Sequence, residues 1–118
     1  MTKLEIERVE AEAGTIVVYR LDGWLSSTTE SYRLLEEVKE DVRHGKRGVL
    51  IDISRIEHMS SAGVGILAAC FTSVMNAGGR MVLSGGSKRS LVLLNVVKLL
   101  DVIPHFETEP EALASLRS

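Results

Sequence analysis

The chain has 118 residues, 45% of them hydrophobic and 25% charged, and a formal net charge of -2 at pH 7. That length holds one ordinary hydrophobic core and is too short for two domains of usual size, so residues 1–118 read as a single domain. The balance of apolar and charged residues argues against disorder, and the interspersed charges leave no one-sided basic field to attract nucleic acid or an anionic membrane.

The first ten residues, Met1 to Glu10, are charged at nearly every second position and lack the apolar centre of a secretory signal, which points to the cytoplasm. No apolar run reaches the roughly 18 residues that a membrane span needs. A single cysteine, Cys70, excludes an internal disulfide, and its neighbours Ala69 and Phe71 predict a buried thiol.

Leu4 and Ile6 alternate with charged residues, the period-two pattern of a half-buried edge strand. After a turn at Ala13 and Gly14, the β-branched run Thr15 to Leu21 predicts a second strand, antiparallel to the first and ended by Asp22 and Gly23. Ser27 and Glu30 have the spacing of a capping box, so a helix is expected from there to about His44, with Leu34, Leu35, Val38 and Val42 inward. Gly45 and Gly48 stop it. Val49 to Ile53 then reads as a central strand buried on both faces, followed by a loop from Ser54 to Ser61.

A second helix is expected over 62–77, with Val64, Leu67, Phe71, Val74 and Met75 on one face, and Gly78 and Gly79 as its stop. Arg80 to Ser84 is a short strand, Gly85 and Gly86 a turn, and Ser87 the cap of a third helix running towards Val97. That helix has more apolar residues than one buried stripe requires; deep burial is the simpler reading, and contact with a partner the other. Pro104 precedes a short extended piece at His105 and Phe106, and Thr108 can cap a last helix from Glu109 to Leu116. Alternating strands and helices predict an α/β fold: a mixed, mainly parallel sheet of about four to five strands, opened by an antiparallel hairpin and accompanied by about four helices.

No set of side chains forms a convincing catalytic constellation. His44, His58 and His105 have no metal-ligand spacing; His58 precedes Ser61 by three residues, but no carboxylate is placed to orient it. Gly63-x-Gly65 lacks the third glycine of a dinucleotide loop, and Gly85 to Ser90 lacks the spacing of a phosphate loop. Lys88 and Arg89 beside a helix start could attract an anion. Trp24, the sole tryptophan, falls in a predicted turn as either a lid on the core or an interface anchor.

The segment VLIDISRIEHMSSAGVGIL, Val49 to Leu67, resembles the signature of the STAS family of anti-sigma-factor antagonists, in which a central strand ends in Asp-x-Ser and is followed by Asp-Ser-Ser/Thr-Gly-x-Gly at a helix start. Asp52 and Ser54 match the first part; Gly63 and Gly65 set the register of the second. Ser60 then stands where the family has its Asp, Ser61 where it has its phosphorylated serine, and Ala62 at its second hydroxyl position. The order of elements extends the resemblance over the whole chain, with Leu21-Asp22-Gly23 and Leu100-Asp101 included.

The resemblance implies a non-enzymatic switch, without cofactor or metal, that binds an anti-sigma factor, usually a serine kinase with a histidine-kinase-like ATP site. Phosphorylation at Ser61, or at Ser60 as the second choice, would be its off state, reversed by a PP2C-type phosphatase. The partner surface would comprise Asp22, Gly23 and Trp24, the run Ser60, Ser61, Ala62, Gly63 and Val64, and the turn Gly85, Gly86 and Ser87, on a monomer or weak dimer. Helix capping alone also accounts for Ser60 and Ser61. An unphosphorylated accessory subunit of a lipid-transport or stressosome-like complex is the alternative function.

Overall fold

Every strand and helix expected from the sequence is present in the computed structural model, which describes residues 3–117; Met1, Thr2 and Ser118 lie outside the described residues. Strand β1 (Leu4–Ala11) pairs antiparallel with β2 (Ile16–Leu25) from Leu4 opposite Gly23 to Ala11 opposite Ile16. Charged side chains along β1 guard this edge against pairing with another chain. Then follow α1 (Thr29–Arg43), β3 (Gly48–Met59), α2 (Ser61–Asn76), β4 (Arg80–Ser84), α3 (Lys88–Val96), β5 (His105–Phe106) and α4 (Glu109–Arg117). The sheet order is β1-β2-β3-β4-β5, parallel from β2 onward, with β3 central as its apolar sequence requires.

Side-chain alternation divides the core between the two sheet faces. Val17, Tyr19, Val49, Ile51, Met81 and Leu83 join Leu34 and Val38 of α1, Leu67, Cys70 and Val74 of α2, and Leu94 of α3 in the main core. Val18, Leu50 and Val82 point the other way, onto Ala112 of α4, with Phe106, Leu113 and Leu116 around them. Each fully buried Leu or Val removes enough apolar area to favour folding by about 1.5–3 kcal/mol before the entropy of ordering is subtracted. Cys70 is buried in the main core, and burial pushes its thiol up to about 12, which leaves it protonated at neutral pH.

Five features depart from the sequence reading. Strand β2 does not stop at Asp22 but runs through Gly23 and Trp24 to Leu25, and β3 does not stop at Ile53 but runs to Met59. Two irregularities explain the second error: the pairing shifts between Arg20 and Asp22 and again between Gly23 and Trp24, with an extra residue on β3 each time. The buried residues of this stretch, Ile53, Ile56 and Met59, are therefore spaced by three, which matches no strand pattern.

The cap of α1 is Thr28, whose Oγ1 accepts the Ser31 amide at 3.2 Å, rather than Ser27. A true capping box occurs at α4, where Thr108 Oγ1 accepts from the Glu111 amide at 3.3 Å and Glu111 Oε1 accepts from the Thr108 amide at 3.2 Å. Thr28→Ala should therefore lower stability by about 1 kcal/mol, whereas exposed Ser27→Ala should change it by only a few tenths, as urea denaturation of the two variants can measure. On α2, Ile66 and Cys70 replace Phe71 and Met75 in the buried stripe; Met75 is exposed. On α3, Leu94 is buried but Val92 and Val96 are exposed, so the helix is not deeply buried.

Candidate functional site

Strands β2 and β3 continue side by side beyond the end of β4 and finish together at Leu25 and Met59. Each is followed by a helix, so the N-termini of α1 and α2 both arrive at this end of the sheet. The Ser60 amide donates to the Leu25 carbonyl at 3.0 Å, which ties the second helix start to the end of β2. Ser60 caps α2: its Oγ accepts from the Gly63 amide at 3.2 Å, and its carbonyl from the Val64 amide at 3.0 Å. Ser61 is the first helical residue, and its side chain is exposed.

Gly63 is buried against Leu25. A Cβ there would overlap the Leu25 carbonyl oxygen and lie 2.8 Å from its carbon, so only glycine lets the backbone of α2 come this close to β2. Nothing lies within 4 Å of the corresponding Cβ at Gly65, which is exposed. Ala62 and Val64 are partly buried between them. On the other side of Leu25, the Ser26 amide donates to the buried Ser31 Oγ at 3.0 Å, and Thr28 Oγ1 donates to the same oxygen at 2.9 Å. A hydroxyl-lined corner results, with two helix starts whose free amides and dipoles favour negative charge.

Trp24 pairs across the sheet with His58, two residues before Ser60; their ring centroids are 4.5 Å apart with planes tilted by 44°. The Trp24 amide donates to the Lys3 carbonyl at 3.0 Å, and Gly23, at φ 116, is required because a side chain there would also strike that same carbonyl. Asp22 is exposed and stands 3.9 Å from Arg55 of β3. Trp24 is thus a partly exposed strand residue stacked beside His58, and Asp22 and Gly23 lie further back along the same ribbon.

Gly85, Gly86 and Ser87 form a separate turn. The Gly85 amide donates to the Phe106 carbonyl at 2.9 Å, and the Gly85 carbonyl accepts from His105 Nε2 at 2.6 Å. Gly85 packs on Ser54, Gly86 on Ile53 and Leu91, and Ser87 Oγ accepts from the Ser90 amide at 3.1 Å as the cap of α3. Below the turn, Asp52 accepts from the Ser54 amide at 2.9 Å and from the buried Ser84 hydroxyl at 2.7 Å. Residues Ser54 to Met59, about 20 Å of extended chain, separate this turn from Ser60. Of the residues singled out in the sequence, Trp24 and Ser60 to Val64 come together at one corner, while Gly85 to Ser87 assemble around Ser54.

Leu25 follows Trp24 in the segment that the sequence singles out, but nothing there marks its carbonyl as the acceptor for the Ser60 amide, and the loop expected at His58 is strand, which sets that ring beside Trp24. The hydroxyl run Ser26 to Thr29 was the available signal for the first helix start. The three histidines contact different partners, His44 the Glu40 carbonyl, His58 Trp24 and His105 Gly85. Among the described residues no group of three or more His, Cys, Asp or Glu could hold a metal ion, and no helix is long and apolar enough to cross a membrane.

A comparison with curated proteins gave no match. Solved structures with similar folds include an anti-sigma factor antagonist from Mycobacterium paratuberculosis, at 19% identity and TM-score 0.86 over 99% of this chain and 97% of that one. A putative anti-sigma factor antagonist from Thermotoga maritima follows at 16% identity and TM-score 0.86, over 96% of this chain and 95% of that one. The Bacillus cell fate determinant SpoIIAA in its phosphorylated form is similar at 19% identity and TM-score 0.69, over 96% of this chain and 100% of that one. The family model for the STAS domain matches residues 8–112, and the chain belongs to that family.

Proposed function

We propose that this STAS domain is an anti-sigma-factor antagonist that binds an anti-sigma serine kinase through the corner at Ser60 and Ser61, and that phosphorylation of Ser61 releases the partner. The observation that carries this reading is the division of labour between the two serines. Ser60 Oγ is engaged in the cap of α2, whereas the Ser61 side chain is exposed at the first helical position. A phosphate on Ser61 would add about -1.5 to -2 charges where helix amides tolerate them, so the fold survives modification. A partner packed against a small neutral hydroxyl would then have to desolvate a dianion, at a cost of several kcal/mol. The similar Bacillus protein solved in a phosphorylated form supports a modifiable site on this fold.

Incubation with the cognate kinase and ATP is expected to add one phosphate, retained in Ser60→Ala and lost in Ser61→Ala, with a PP2C-type phosphatase removing it. Ser61→Asp should weaken the kinase complex by about tenfold or more. Labelling that persists in Ser61→Ala would remove Ser61 from the mechanism, and labelling lost only in Ser60→Ala would move the site by one residue.

A further inference from the structure

The peptide group between Leu25 and Ser26 touches both helix starts of the corner. Its carbonyl accepts from the Ser60 amide at 3.0 Å, and its N–H donates to Ser31 Oγ at 3.0 Å. Ser31 is fully buried, and its hydroxyl also accepts from Thr28 Oγ1 at 2.9 Å. One planar, rigid amide therefore holds the first turn of α1 against the first turn of α2. The residues around Ser31 are thereby neighbours of Ser60 and Ser61.

Next to Ser31 stands Tyr32. One flank of α1 faces β1: Glu30, Arg33 and Glu37 line a cavity with residues of that strand, and Asp41 accepts from Arg8. Tyr32 lies on the other flank, which it shares with Lys39, two turns on, whose charge acts on the buried Cys70 thiol of α2. Among the described residues seven large apolar side chains are exposed; Tyr32 is the only aromatic one, and the only one in the first turn of α1 or α2. Charge is scarce on this side. Residues 61–76 of α2 hold no charged side chain, and Glu36, beside Tyr32, is paired with Lys39 at 4.0 Å. Asp22 and Glu57 of the ribbon line a different cavity, with Lys3 and Glu5. Gly65, one turn after Ser61, is exposed and leaves open space, with nothing within 4 Å of where a Cβ would stand. Such a surface is recognised by shape and hydrogen bonding rather than by charge.

We infer that Tyr32 is an aromatic anchor for the partner that covers Ser61, so that the binding surface crosses from the start of α2 to the start of α1. This rests on the kinase reading given above, and the occupant is that same anti-sigma kinase. It meets the Tyr32 ring with an apolar pocket whose rim accepts the phenol hydroxyl, the pairing of apolar body and polar tip that makes tyrosine a frequent interface anchor. A phosphate on Ser61 would place the only charge of α2 inside this contact.

The test uses the whole chain and the kinase that phosphorylates it. Tyr32→Ala trims an exposed side chain and should keep the fold, while lowering kinase affinity by about tenfold or more and raising the KM for phosphorylation with kcat little changed. Tyr32→Phe should keep most of the affinity, since the ring remains. The loss in Tyr32→Ala should recur in a Ser61→Ala background, which separates contact at Tyr32 from phosphate transfer. Arg33→Ala, on the β1 flank of the same helix, should bind as the native chain does. Unchanged affinity in Tyr32→Ala, or an equal loss in Arg33→Ala, overturns this inference and leaves the kinase reading standing, whereas a native chain that binds no kinase overturns both. Self-association of the native chain that is lost in Tyr32→Ala would overturn it in favour of a second copy.

Discussion

Gly63→Ala is expected to destabilise the protein by about 2–3 kcal/mol, because the new methyl group meets backbone rather than a movable side chain. The Leu25 carbonyl that it would strike also holds the Ser60 amide, so α2 cannot tilt away without lengthening that hydrogen bond. Gly65→Ala is the internal control. With nothing within 4 Å and a position inside the helix, alanine there should stabilise the fold by about 0.5–1 kcal/mol. Two glycines that look equivalent in the sequence thus have opposite signs. Urea denaturation of both variants checks this; equal destabilisation would mean that close approach to Leu25 is not what requires the first glycine.

The second large effect is expected at Asp41, far from that corner. This buried carboxylate of α1 accepts from Arg8 Nη2 at 2.6 Å and Arg8 Nε at 3.1 Å, and from the buried Tyr19 hydroxyl. The three side chains fasten α1 to β1 and β2. Asp41→Ala leaves the Tyr19 hydroxyl and part of the Arg8 guanidinium without their acceptor, and should cost about 3 kcal/mol. Burial by itself would raise the Asp41 pKa, but hydrogen bonds from Arg8 and Tyr19 outweigh it and hold the carboxyl below its usual value of 3.8.

A carboxyl with a lowered folded pKa contributes stability that is complete above its unfolded pKa and is lost as pH falls through the folded one. The stability of the native chain should therefore fall steeply below about pH 4, and that of Asp41→Ala less so, leaving the two closer at pH 2 than at pH 7. Tyr19 behaves in the opposite sense. Burial and the Asp41 charge raise its pKa, so its contribution is present below pH 10 and disappears as the hydroxyl ionises at higher pH. A pH-independent difference between native chain and variant would show that folding does not lower the Asp41 pKa.

Local signals in the sequence located much of this architecture. The bounds of β4 and the caps Ser87 and Thr108 follow from short-range chemistry, with glycines on one side and hydroxyls before helical residues. The glycine register also puts Ser61 at a helix start, where its side chain is exposed. What escaped was set by distant partners. The bulged half of β3 lacks period two because β2 dictates its inward residues at Ile53, Ile56 and Met59. The choice of Thr28 over Ser27 as a cap depends on where Ser31 comes to lie, and nothing near Asp41 in the chain announces Arg8, 33 residues away.

Trp24 offers something different. As the chain's sole tryptophan it supplies nearly all of the ultraviolet emission of the protein, and its ring lies 4.5 Å from His58, beside the serine corner. The molecule therefore has a built-in optical reporter at one end only. The partner or phosphoryl group proposed at Ser61 would change the polarity around that indole. A single fluorescence titration, without any label, can therefore test whether that corner becomes occupied.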